Sequence, residues 1–207
     1  MTALKKLVIA SNNPGKLREI GALLAPLAIE IVPQSAYAIS EADEPHGTFI
    51  ENALGKARHA SRHSNLPALA DDSGICVNAL GGAPGVNSAR YAGEPKSDAR
   101  NNQKLIEALK NQTDQRAYYY CVIVLLRHAD DPQPIIVDGA WHGEIVDQPR
   151  GNGGFGYDPY FYLPEFGKTA AELTAEQKNT ISHRGQALAR LVGILQTEVF
   201  HSNFSSN

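Results

Sequence analysis

The sequence predicts an α/β fold, on three observations. Residues 6–32 read as a strand, a helix and a second strand. Residues 117–146 hold two long apolar runs around an Asp-Asp-Pro turn, and residues 169–200 have helical character. A β-α-β unit closes only through a crossover, so part of the sheet is expected to be parallel, whereas the later pair looks antiparallel.

Taken in order, Lys6 to Ala10 read as a buried first strand. After Asn-Asn-Pro-Gly, the residues Leu17, Ile20, Leu23, Leu24 and Leu27 recur at helical spacing, and Ile29 to Val32 form the second strand. Ser40 to Thr48 is an acidic loop without apolar periodicity. Thr48 to His63 reads as a long helix, with Thr48 and Glu51 spaced as a capping box. Residues 68–80 have strand character on both sides of an Asp-Asp-Ser-Gly core, and residues 81–95 are rich in turn formers. Ser97 to Lys110 reads as a helix capped by Ser97 or Asp98. The glycine-dense, aromatic stretch 151–161 precedes a C-terminal helix that is expected to break near Ser182. With no repeat or low-complexity linker, residues 1–200 are expected to form one domain, and the polar tail 201–207 to be disordered.

A chain of 207 residues suits one large domain or two small lobes around one core. Its 43% apolar and 20% charged residues are those of a folded protein. A net charge of −3 argues against nucleic acid as a partner held by bulk charge, yet allows a local basic pocket for a small polyanion. No apolar run reaches the length of a membrane span, and the N-terminal apolar stretch is too short for a signal peptide. Cys76 and Cys121 lie in apolar strand-like runs and are expected as buried thiols. A cytoplasmic protein without a membrane partner is the expectation.

Five stretches carry chemistry. Ser11, Asn12, Asn13, Pro14, Gly15 and Lys16 form a turn between strand and helix; turn amides, a helix N-terminus and a lysine all favour phosphate. The spacing is not that of the best-known phosphate loop, and an ordinary turn with a solvated lysine also fits. Asp71 and Asp72 stand in apolar surroundings, where carboxylates need a partner. A divalent cation is one such partner, and oxygen ligands suit Mg²⁺; a tight Asx-turn is the alternative. In an extended segment the two side chains point opposite ways, so only one need face a site. Glu41, Asp43 and Glu44 of the acidic loop add further oxygens.

Around Gly153, Gly154 and Gly156 the backbone is free to approach a ligand closely, Phe155 and Tyr157 can face a flat ring, and Asp158 can accept from a ring N–H. A glycine-rich hairpin with core aromatics is the other reading. Lys178, Ser182, His183 and Arg184 gather donors for oxygens of a base or phosphate. Jointly these stretches describe a nucleoside triphosphate pocket with magnesium.

In this combination the chain resembles the Ham1/inosine triphosphate pyrophosphatase family, whose members hydrolyse non-standard purine nucleoside triphosphates. The resemblance rests on residues 11–16, 48–57, 70–74, 81–93, 153–161, 167–173 and 181–187, in order along nearly the whole chain. It implies a long central mixed β-sheet flanked by helices, two lobes around a nucleotide cleft, and a homodimer. By the same resemblance, Ser11 to Lys16 would hold the triphosphate, with Lys56 as a second phosphate contact and Lys16 and Lys56 supporting catalysis. Asp72 would be general base and Mg²⁺ ligand, joined by Asp43 or Glu44, and Ser73 would touch substrate. Phe155, Gly156, Tyr157, Asp158, Lys178, His183 and Arg184 would frame the purine and sugar. The implied reaction splits ITP, dITP or XTP into monophosphate and pyrophosphate. A pyrophosphatase of another nucleotide class, or a nucleotide-binding module without catalysis, are the competing readings.

Overall fold

The computed structural model describes residues 4–197; the tail at 201–207, expected to be disordered, lies outside the described residues. Among the described residues seven strands, β1 (Lys6–Ile9), β2 (Glu30–Pro33), β3 (Ala68–Val77), β4 (Arg116–Leu126), β5 (Ile135–Ile145), β6 (Phe161–Leu163) and β7 (Lys168–Thr169), form one sheet in the order β2-β1-β3-β4-β5-β6-β7. The sheet is mixed. β1 runs parallel to β2, with Lys6 opposite Glu30, and parallel to β3, with Val8 opposite Ala68. β6 runs antiparallel to both neighbours, with Ile145 opposite Phe161 and Tyr162 opposite Thr169. As an interior parallel strand, β1 buries Leu7, Val8 and Ile9 completely, which explains its unbroken apolar run.

The described residues also form five α-helices: α1 (Pro14–Leu24), α2 (Phe49–Ser64), α3 (Asp98–Leu109), α4 (Ala175–Ile181) and α5 (His183–Leu195). Their starts follow local chemistry. Asn13 caps α1, with Pro14 in the first turn. Thr48 caps α2, although the Glu51 carboxylate accepts a hydrogen bond from the Thr48 hydroxyl and closes no full capping box. Of the two candidates ahead of α3, Ser97 is the cap. The apolar rhythm predicts α1 through Leu27, but Ala25–Leu27 tighten into a 3₁₀ turn at Pro26, whose missing N–H cannot continue an α-helix. At Ser182 the backbone turns extended, with φ −69° and ψ 161°, so the expected break separates α4 from α5.

The chain packs as two compact units. The first comprises residues up to Asp72, 122–138 and those from Arg184 onward; among its described residues, Ile20, Leu24, Ala57, Leu69, Ile123, Leu125 and Leu188 are fully buried. The second comprises residues 73–121 and 139–183, with a core of Ile75, Leu105, Tyr119, Trp141, Tyr157 and Phe161 among others. Cys76 and Cys121 are buried thiols, and no helix among the described residues is long and apolar enough to cross a membrane.

Candidate active site

In the first unit, β1 empties into the turn that starts α1. The Asn13 side-chain oxygen accepts from the amides of Gly15 at 2.8 Å and Lys16 at 3.2 Å, while the Asn13 amide donates to the Ser11 hydroxyl at 3.1 Å. The turn is therefore internally capped, and two of the amides suited to a phosphate are held by Asn13. Asn12 and Pro14 are exposed beside it. Lys16, the third residue of the helix, turns its ammonium onto Asp71.

β3 passes straight through Asp71 and Asp72, which rules out the Asx-turn alternative. Both carboxylates are buried, and their alternation along the strand gives them separate partners. Asp71 meets Lys16 and also the Arg184 guanidinium, with Nε donating to Oδ2 at 3.0 Å and Nη2 to Oδ1 at 3.4 Å. Arg184 is itself buried and reaches Glu19 of α1 through Nη1. Asp72 accepts from Lys56 Nζ of α2 at 2.7 Å through Oδ1. Its Oδ2 is buried with no hydrogen-bond partner among the described residues.

Burial outweighs the nearby Lys56 and Lys16 charges at Asp72, leaving its carboxyl above the usual carboxylate range. At Lys56 burial acts downward, but the carboxylates of Asp72 and Glu44 outweigh it and hold the ammonium above the usual lysine range. Desolvation thus dominates at the acid and attraction at the base.

Lys56 donates to Glu44 as well, at 2.8 Å, so Glu44 and Asp72 share one cation. Asp43 is exposed, and the carboxylates that Lys56 meets are those of Glu44 and Asp72. Among the described residues no group of three or more His, Cys, Asp or Glu side chains gathers closely enough to hold a metal. The donor set still fits Mg²⁺, which commonly takes one or two carboxylates and completes its shell with water and substrate phosphates. The buried, unpartnered Asp72 Oδ2 is the atom that fits such a role.

In the second unit the segment 153–158 is organised by Asp158. Its carboxylate accepts from the Phe155 amide at 2.9 Å, Lys178 Nζ at 2.7 Å and the Tyr119 hydroxyl at 3.2 Å. Gly154 sits at φ +74°, and a Cβ there would run into Asp158 Oδ2, so this position requires glycine. The Lys178 ammonium lies 4.7 Å from the centre of the half-buried Phe155 ring. Tyr157 is buried and donates to the Ser88 carbonyl at 2.8 Å. His183 is buried and stacks on Tyr119, with centroids 4.7 Å apart and planes 8° from parallel. Ser73 is half-buried on β3.

Most of the sequence-predicted residues therefore fall into two clusters. Lys16, Glu44, Lys56, Asp72 and Arg184 belong to the first unit; Phe155, Gly156, Tyr157, Asp158, Lys178 and His183 belong to the second. Asp158, read from sequence as an acceptor for a ring N–H, receives three protein donors. Arg184, read as framing the purine, has its guanidinium on Asp71 and Glu19. Sequence reasoning missed Glu19 and Tyr119. Glu19 carries a weak signal, one helical turn after Lys16, whereas nothing in the Tyr-Tyr-Tyr run marks Tyr119 as the partner of a residue 39 positions away.

Comparison with known proteins points one way. The model of the Ham1 family matches residues 7–194. The chain is 70% identical over 192 residues to a dITP/XTP pyrophosphatase of Nitrosomonas europaea, covering 93% of this chain and 95% of that one. It is 64% identical over 192 residues to a dITP/XTP pyrophosphatase of Ralstonia nicotianae, covering 91% and 96%. Its fold is similar to that of a HAM1 protein from Coxiella burnetii, with a TM-score of 0.87 and 49% identity over 92% of this chain and 98% of that one.

Proposed function

The chain belongs to the Ham1 family, and from that premise we propose that it hydrolyses non-standard purine nucleoside triphosphates, dITP, XTP and ITP, to the monophosphate and pyrophosphate. The observation that carries the proposal is Asp72: a buried carboxylate with one oxygen on Lys56 and the other unpartnered among the described residues. An acceptor kept dry beside lysines suits the removal of a proton from water next to a polyanion.

The contacts support a set of roles. Asp72 orients the attacking water and takes its proton as water adds across the α–β anhydride, and pyrophosphate leaves. Lys56 and Lys16 place fixed positive charge on the phosphates, with Ser11 to Gly15 forming the turn beneath them. When Lys16 exchanges Asp71 for a phosphate, Arg184 keeps Asp71 paired, so no buried carboxylate is stranded. Mg²⁺, when bound, supplies neutralisation of charge on the phosphate oxygens. Asp72 would hold it, with Glu44 favoured over the exposed Asp43 because Glu44 shares Lys56 with Asp72.

Base selection is assigned to the second unit, with Phe155 and Tyr157 as aromatic surfaces and Lys178 and His183 as donors toward a 6-oxo group; Ser73 contacts substrate. A site built on such donors rejects a 6-amino base by roughly 10⁴-fold. Arg184 supports the phosphate end through Asp71, a change from the role that the resemblance implied. Assembly as a homodimer and a cytoplasmic location are parts of the same proposal. Pyrophosphate release from dITP, XTP, ITP, dATP and dGTP, with and without Mg²⁺, tests it. Turnover is expected only with the metal and with 6-oxo substrates lacking the 2-amino group of guanine, or bearing oxygen there. Equal rates on dATP would overturn it.

A further inference from the structure

We propose that Asp98 and Asn102 of α3 are positioning residues that set the aromatic segment Phe155–Tyr157 for nucleotide binding, an inference that rests on the activity proposed above. The two lie four residues apart, on one face of the helix. Both close on a single residue. The Gly156 amide donates to Asp98 Oδ2 at 2.8 Å, and Asn102 Nδ2 donates to the Gly156 carbonyl at 2.9 Å. Gly156 sits at φ +66°, a conformation glycine adopts without penalty, and holding both of its polar groups from one helix stops it from relaxing elsewhere. The rings on either side, Phe155 and Tyr157, are aimed by that grip.

The neighbouring Asn101 extends the brace. Its side chain accepts from the Ala92 amide at 2.8 Å and donates to the Ala89 carbonyl at 3.0 Å. That anchors the turn whose Ser88 carbonyl receives the Tyr157 hydroxyl. α3 therefore ties the segment directly at Gly156 and indirectly at Tyr157.

Asn102 is the stronger member. It is buried, and because its nitrogen must face the Gly156 carbonyl, Oδ1 is left over, buried and without a hydrogen-bond partner among the described residues. An orphaned acceptor is unfavourable, and a leucine of similar size would abolish it. What asparagine offers over leucine at this position is the bond to Gly156. Asp98 is exposed, so water competes for its bond and its share is smaller.

The test compares Asn102→Leu, Asp98→Ala and Asp98→Asn with wild type in steady-state pyrophosphate release from dITP, calorimetric dITP binding, thermal melting, and hydrogen exchange of residues 154–158. Asn102→Leu is expected to raise KM and Kd about tenfold with kcat within about twofold and an undiminished Tm. Asp98→Ala is expected to raise KM about threefold, and Asp98→Asn, whose amide oxygen accepts the same N–H, to restore wild-type values. Exchange should quicken in the first two variants only. Quicker exchange with unchanged KM and Kd would overturn the nucleotide role, and unchanged exchange would overturn the grip itself. A fall in kcat that tracks Tm would reduce α3 to a scaffold. Wild-type protein that turns over no nucleotide refutes the proposed activity instead, while exchange and dITP binding still decide the inference.

Discussion

Two buried aspartates of the first unit, each facing a cation, titrate in opposite directions. Asp131 lies in the turn between β4 and β5 and is filled by donors. The Arg127 amide reaches Oδ2 at 3.0 Å, Arg127 Nε reaches it at 2.8 Å, and the Gln133 amide reaches Oδ1 at 2.9 Å. Burial pushes its carboxyl upward, but the bonds from Arg127 and the backbone amides win, and it sits well below the usual carboxylate range. Asp72 is enclosed more deeply, among the described residues only Lys56 donates to it by a hydrogen bond, and burial wins. The number of donors set against the depth of burial, rather than the presence of a cation alone, separates a carboxylate that builds the fold from one available for chemistry. Asp158, with three donors in the second unit, belongs with Asp131.

The largest effect expected from this contrast is on turnover. Asp72→Asn should lower kcat by about 10³-fold, the middle of the range for a lost general base, with the protein folded and dITP still bound. Pyrophosphate release and calorimetry measure the two separately. Near wild-type turnover would place Asp72 among the builders and erase the distinction.

Asp158→Ala should instead act on stability. It strands the buried Lys178 ammonium and removes the acceptor of the Phe155 amide and Tyr119 hydroxyl, a loss of about 3–5 kcal/mol in urea denaturation. If stability held while only KM rose, Asp158 would be reading the base after all.

Asp131→Asn is expected to be milder, about 2 kcal/mol, with kcat unchanged. Its pH dependence is the sharper readout. A carboxylate whose folded pKa is depressed contributes stability above its unfolded pKa, here the ordinary 3.8, and loses it as pH falls through the folded value. The gap between wild type and variant should therefore be wide at neutral pH and close in acid. A gap independent of pH would mean that Asp131 acts by shape alone.

How much of this was legible in the sequence depends on the distance between partners. The β1–α1–β2 unit, a cap at Ser97 or Asp98 and the break near Ser182 are local, and periodicity with turn chemistry predicts them. Two strands escaped: β6 and β7 span three and two residues, too few to show alternation. At the site, Lys16 and Asp72 stand out in the sequence because a lysine at a helix start and carboxylates in apolar surroundings demand partners, whereas Lys56 enters only through the family resemblance. The partners themselves were not readable. Asp71 and Arg184 are 113 positions apart, so the guanidinium assigned to a base could not be seen to rest on a carboxylate. Asn102 reads as one polar residue among several on α3; only Gly156, 54 positions on, gives it meaning.

The smallest perturbation asks whether the turn at Ser11–Lys16 is a phosphate site or only a helix cap. Asn13→Asp keeps the cap, since an aspartate oxygen accepts the Gly15 and Lys16 amides as well and its charge suits a helix N-terminus. Stability should therefore stay within about 0.5 kcal/mol of wild type or rise. The added negative charge faces whatever the turn binds. Beside a triphosphate it should raise KM for dITP by about tenfold, an effect that weakens as salt screens the charges. Beside nothing but water it should leave KM alone, and then Lys16 would serve Asp71 rather than a phosphate. The variant separates the two because it alters the charge of the turn without altering its fold.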